Sequence, residues 1–187
     1  WYWDMEWQQG GEHHNEITTI VMYDNYDEEY HQWVWFPNQE PYNGFKMSTE
    51  KIAHVSVFNS EKEMLESFIN TMIEKDPDML IAWFGNKFDL PHLLKRACAL
   101  GIDPRIISPT ESVKGVRKSK EGLSFAYGEK GFSPIEQPIG GRITLSLDLA
   151  FERQWNDSQR GTLPSLSLEY VSQTLFGEGK VLIISTY

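Results

Sequence analysis

A single cysteine, Cys98, stands among the 187 residues, so no internal disulfide can form. A reducing, intracellular setting is the expectation that follows. Long apolar runs are missing as well. Without a stretch of about 18 apolar residues, or a basic-then-apolar leader, neither a membrane partner nor secretion is expected. Cations are scarce: 17 Lys and Arg face 27 Asp and Glu, a formal net charge of −10. Broad electrostatic coating of DNA or RNA needs the opposite balance and is excluded. A small nucleic-acid site lined by acids and divalent metal is not. The sequence also lacks internal repeats, low-complexity tracts, a Gly-rich phosphate loop and any Ser-His-Asp arrangement. Its five histidines (His13, His14, His31, His54, His92) show no metal-ligand spacing.

Apolar residues make up 40% of the chain, including seven Trp and ten Phe, enough to pack the core of one domain. Trp1-Tyr2-Trp3-Asp4-Met5-Glu6-Trp7 alternates with period two. A strand with that pattern carries Trp1, Trp3, Met5 and Trp7 on one face, Asp4 and Glu6 on the other. Ile17–Tyr23 and Tyr30–Phe36 read as a hairpin around Asp24-Asn25-Tyr26-Asp27. Pro37–Lys51 reads as loop and Ala53–Phe58 as strand. Ser60 with Glu63 forms a capping box for a helix whose Met64, Leu65, Phe68, Ile69, Met72 and Ile73 recur at helical spacing. Met79–Phe84 predicts a strand buried on both faces, and Leu90 to Leu100 a helix with Pro91 in its first turn. Residues 102–141 read as loop. Arg142–Leu149 predicts a strand with Ile143, Leu145, Leu147 and Leu149 on one face. A helix follows from about Leu166 to Phe176, with Leu168, Val171 and Leu175 inward and Gly177 at its end. Val181–Tyr187 is either a strand or a frayed end. Early strands followed by strands interleaved with helices define an α/β domain with a mixed sheet.

Two groups of acids carry chemical information. Asp4 and Glu6 share a strand face on which like charges repel, and burial would raise that cost. Either the face is wet, or a hard divalent cation ligated by carboxylate oxygens offsets the repulsion. Asp89 follows an apolar strand at the start of a helix, where ligands gather in α/β sheets; helix capping is the competing role.

Asp4-Met5-Glu6 resembles the Asp-x-Glu first exonuclease motif of family B DNA polymerases. Asn86-Lys87-Phe88-Asp89-Leu90-Pro91-His92-Leu93-Leu94-Lys95-Arg96-Ala97 is similar to their second motif and following helix, the more specific of the two matches. Gly141–Leu149 and Leu163–Lys180 resemble the next strand and helix. The resemblance implies a ribonuclease H-like three-layer α/β domain, a mixed central sheet flanked by helices. It implies that Asp4, Glu6 and Asp89 are catalytic ligands of two Mg²⁺ or Mn²⁺ ions. The activity implied is 3′–5′ proofreading: hydrolysis of the terminal phosphodiester at the 3′ end of single-stranded DNA. The alternative is a non-catalytic DNA-binding or scaffolding module of the same fold. The remainder of a polymerase chain is the implied protein partner, in cytoplasm or nucleoid, of cellular, viral or phage origin.

The chain departs from the family in three places. Trp83-Phe84 stands where an aromatic-Asn pair is usual, with Asn86 two residues nearer Asp89. Trp7 replaces a hydroxyl residue, and either stacks on a terminal base or completes the Trp1, Trp3, Met5 face. No Tyr-x-x-x-Asp third motif occurs, so residues 1–187 are expected to be one exonuclease-like domain cut before that motif. Asn86, Phe88 and Trp7, with the basic residues Lys114, Arg117 and Lys118, are the expected DNA contacts; a solvated loop is the competing reading of the basic stretch.

Overall fold

The computed structural model describes residues 1–37, 53–128, 130–157 and 160–179. All of the expected 37–51 loop except Pro37, together with Lys180 and the Val181–Tyr187 tail, lies outside the described residues. The chain divides into two compact units, Trp1–Ser146 and Leu147–Tyr187.

The first unit is built on a six-stranded mixed sheet: β1 (Tyr2–Trp7), β2 (Ile17–Asp24), β3 (Glu29–Trp35), β4 (Ala53–Phe58), β5 (Met79–Ala82) and β8 (Ile143–Ser146), in the order β4-β3-β2-β1-β5-β8. β1, β2 and β3 run antiparallel, whereas β3–β4, β1–β5 and β5–β8 are parallel. The expected hairpin of β2 and β3 therefore forms, with β1 antiparallel beside β2, and crossovers supply the later strands. Helix α1 (Glu61–Lys75) leads from β4 at one edge back to β5. Ser60 caps it as expected, its hydroxyl accepting from the Glu63 N–H at 3.2 Å. The buried face of α1 meets the Trp-rich face of β1: Phe68 lies 6.1 Å from Trp3 and 5.2 Å from Trp33, ring centre to ring centre.

Several charged residues are buried, and one of them ties this core together. Glu61, 4% exposed at the start of α1, accepts from the Ile17 N–H of β2 and from the Arg96 Nε of α2 (Asp89–Ala99), both at 2.8 Å. A second Arg96 nitrogen meets the other carboxylate oxygen. A helix, a strand and a second helix thus converge on one carboxylate. Elsewhere the buried Arg142 ties three loop ends together, reaching the carbonyls of Ile107 (2.6 Å) and Pro77 and the Asp76 carboxylate (2.8 Å).

The structure corrects the sequence reading in several places. Strand β5 stops at Ala82, two residues before the expected Phe84. Phe84 takes a left-handed φ of 56°, which ends the strand. β5 also alternates, with Leu80 and Ala82 buried and Met79 and Ile81 half-buried, instead of being covered on both faces. The expected 142–149 strand is four residues long, and its face is reversed: Thr144 and Ser146 are buried while Ile143 is 51% exposed. Leu147 and Leu149 belong to helix α3 (Leu147–Asp157), because their alternation happens to run across a strand-to-helix junction. Residues 102–141 include a hairpin of β6 (Val116–Ser119) and β7 (Gly122–Phe125). Its strands are mostly exposed, so it left no hydrophobic alternation to read.

In the second unit, helix α4 (Leu168–Phe176) is capped by Ser167 and ends at a left-handed Gly177. Val171 is buried as expected, but Leu168 (51%) and Leu175 (39%) are exposed rather than inward.

Candidate active site

Strands β1 and β5 run side by side, paired at Tyr2 and Ile81. β5 ends one residue later, whereas β1 continues to Trp7. The step left at the end of β5 is where the chain turns and starts α2. Lys87 and Phe88 N–H groups both donate to the Phe84 carbonyl (2.9 and 3.0 Å), closing the turn, and Asp89 follows as the first residue of α2. Asp89 is not the helix cap; that position is held by Phe88, without a side-chain capping bond. Instead the Asp89 carboxylate accepts from the Met5 N–H, on the stretch of β1 that outlasts β5.

The fold places Asp89 within the field of Asp4 and Glu6 on the neighbouring strand. Asp4 and Glu6 are exposed on the β1 face opposite the Trp core, and Asp89, 4% exposed, lies within reach of their charge. Burial pushes the Asp89 carboxyl up to about 7, and the negative charge of Asp4 adds to the rise, with a smaller addition from Glu6. Its own N–H and that of Met5 pull the other way.

A pH dependence follows from this shift. An acid whose folded pKa is raised holds its proton in the folded chain where the unfolded chain has lost it. Its contribution to stability is full below the unfolded value of 3.8 and is lost as pH rises towards about 7. Without divalent cation, wild-type stability is expected to fall by up to about 4 kcal/mol over that window. Asp89→Asn should flatten this component. Urea unfolding at pH 5 and pH 8 in chelator checks it, and an equal pH slope in both proteins would refute it. Glu136, depressed from 4.5 to about 2, and Asp103, depressed from 3.8 to about 2, act in the opposite sense and at the acid end, below pH 4.5.

Oxygen-only donors of net negative charge are the ligand chemistry of hard divalent cations, and the mutual repulsion around Asp89 is what such an ion would offset. On donor chemistry the residues fit Mg²⁺ or Mn²⁺. Among the described residues, however, no group of three or more His, Cys, Asp or Glu side chains closes to metal-holding distance.

The expected DNA contacts are placed unevenly. Phe88 is 47% exposed beside Asp89, edge-on to Phe84 at 6.0 Å, with the Lys87 ammonium 5.0 Å above its ring. Trp7, beyond an irregularity in β1, is half-buried, packs against the core as one of its two readings expected, and stacks on His92 at 4.4 Å. Asn86 is 2% exposed, and its amide is spent on carbonyls of residues 133–136. Arg117 and Lys118 lie exposed on β6, Lys118 reaching Asp103 at 3.6 Å, and Lys114 pairs with Glu136. Lys87 and the Met5 N–H were not singled out from sequence. Lys87 could have been, as the one cation in the turn before Asp89.

The chain is thus a mixed α/β domain with a buried Asp89 at the start of a helix, in the field of two exposed acids on β1. Comparison with known proteins names the family: the model for DNA polymerase family B, exonuclease domain, matches residues 3–143, and the chain belongs to that family. The DNA polymerase of Pyrococcus glycovorans is 32% identical over 148 residues, which cover 73% of this chain and 16% of the relative. That of Pyrococcus horikoshii is 34% identical over 140 residues, covering 73% and 10% respectively. The DNA polymerase of Thermococcus litoralis is 33% identical over 130 residues, covering 69% and 7%. The chain thus spans a sixth or less of the length of these relatives. No helix among the described residues is long and apolar enough to cross a membrane.

Proposed function

We propose that the chain is the 3′–5′ proofreading exonuclease part of a family B DNA polymerase, with a ribonuclease H-like fold. The observation that carries this reading is the buried Asp89 at the start of α2, its carboxyl raised in the field of Asp4 and Glu6 on β1. Family membership over residues 3–143 supports it. The substrate is the 3′ end of single-stranded DNA, and the partner is the remainder of the polymerase chain.

In this reading Asp4, Glu6 and Asp89 hold Mg²⁺ or Mn²⁺. Two such ions would supply an activated water and offset the charge developing on the phosphodiester. The chain's own residues hold the strand in place. Exposed Phe88 offers a face for a terminal base, and Lys87 beside it offers a cation to the backbone. Asp89 gives up its proton before it can serve as a ligand. Hydrolysis then breaks the bond to the 3′ oxygen, leaving a nucleoside monophosphate and a strand one residue shorter.

One observation favours the non-catalytic alternative: no three acids close to metal-holding distance among the described residues. Calorimetric titration with Mn²⁺ and digestion of a 5′-labelled single-stranded oligonucleotide separate the two readings. Saturable Mn²⁺ binding with a ladder shortening from the 3′ end is expected. Neither heat nor shortening would leave a scaffold.

A further inference from the structure

Asn86 is buried, and its side-chain amide donates to three main-chain carbonyls: Glu136 at 2.8 Å, Ser133 at 3.1 Å and Pro134 at 3.5 Å. Its own carbonyl accepts from the Phe132 N–H at 2.8 Å. These bonds join two pieces of chain about 50 residues apart in sequence: the turn that delivers Asp89, and the loop at 132–136. The fit is close in other ways. A Cβ on Gly131 would fall 2.2 Å from the Lys87 carbonyl, and one on Gly85 would fall 2.5 Å from the Ala82 Cβ. The turn is thus held from both sides, by β5 beneath it and by the loop against it.

The loop is itself anchored. The Glu136 carboxylate accepts from the Tyr127 hydroxyl (2.6 and 2.7 Å), from the Ser133 N–H (2.9 Å) and from Lys114. The Glu136 carbonyl accepts from the Thr144 hydroxyl of β8 at 3.1 Å, in addition to Asn86. Next to it the Gln137 side chain meets both main-chain groups of Thr144, at 2.8 and 3.0 Å. The Tyr127 ring packs 4.2 Å from Phe132. A continuous set of hydrogen bonds therefore runs from the sheet edge through the loop to the turn before Asp89.

We infer that residues 132–136 form a strap that positions Asp89, with Asn86 and Glu136 as its positioning residues. Neither residue touches the acid, and both act through the turn. A backbone turn with a left-handed Phe84 is strained for a bulky side chain and persists only where its surroundings hold it. The strap provides that hold. Partners that orient a ligand are worth roughly 10–100-fold in metal affinity where they have been removed from other sites. The link to metal rests on the proposed exonuclease reading; the link to the turn does not.

Amide hydrogen exchange and Mn²⁺ calorimetry on the whole chain test the two links separately. In metal-free protein, Asn86→Ala is expected to speed exchange at residues 84–90 by about 10-fold or more, with the amides of β2 and β3 unchanged. Its Mn²⁺ affinity should fall about 10-fold or more. Tyr127→Phe, which keeps the ring and loses the hydroxyl, should move both readouts the same way by a few-fold. It carries the test if Asn86→Ala does not fold. Unchanged exchange at 84–90 would overturn the strap. Faster exchange with unchanged Mn²⁺ affinity would overturn its positioning role. If the wild type binds no Mn²⁺, the exonuclease reading fails, and the exchange result still decides whether the strap holds the turn.

Discussion

If the chain is the proposed exonuclease, Asp4→Ala is expected to lower 3′-end degradation on the order of 10³-fold without unfolding the chain. Asp4 is exposed on β1, where truncation typically changes stability by only about 0.5 kcal/mol. Its loss also removes the largest negative charge acting on Asp89, so the Asp89 carboxyl should titrate lower than about 7 in the variant. Three measurements therefore move in a pattern that misfolding would not produce. Activity and Mn²⁺ binding collapse, melting is nearly unchanged, and the metal-free titration of Asp89 shifts to lower pH. Asp4→Ala with wild-type digestion would remove Asp4 from the site, and with it the reading built on the acid cluster.

Glu61→Ala has the largest expected effect on stability. The substitution removes the two hydrogen bonds from the mostly covered Arg96 guanidinium to Glu61, leaves Glu16 at 4.0 Å as its remaining counter-charge, and leaves the Ile17 N–H of β2 unpaired. Removing one partner of a buried ion pair costs about 3–5 kcal/mol, which for a chain of this size is roughly 10 °C in Tm. The penalty comes mainly from the stranded charge. Replacing both residues together by leucine should recover most of it, because an apolar pair of similar volume is often neutral in such sites. A double-mutant cycle by urea unfolding measures the difference. Additive losses would show that the two side chains act independently. Since α2 carries both Arg96 and Asp89, the pair also fixes the helix that starts at the site.

Much of this architecture is legible in local pattern. The period-two run at residues 1–7 shows which face of β1 is buried and puts Asp4 and Glu6 together. The Ser60–Glu63 box and the apolar spacing behind it mark α1, and Asp89 stands where a strand gives way to a helix. What escapes sequence reading has a common physical origin. Features made by contacts between distant residues leave no periodicity. Glu61 looks like an ordinary first-turn acid until the fold brings Arg96 and Ile17 to it. Asn86 looks like a free polar residue near the site until the 132–136 loop covers it. The β6–β7 hairpin is held by main-chain bonds and buries little on either face, so its side chains carry no alternation. At 143–149 the alternation is real but accidental, and the chain passes from strand to helix in the middle of it.

The side-chain amide of Gln137 also bears on how copies of the molecule meet. Among the described residues β8 is an outermost strand of the sheet, and an outermost strand offers bare main-chain donors and acceptors to any other chain that arrives. At Thr144 both groups are already taken, one by each end of the Gln137 amide, which stands in for the missing neighbour. Self-association by strand addition is thereby blocked at the centre of a four-residue edge.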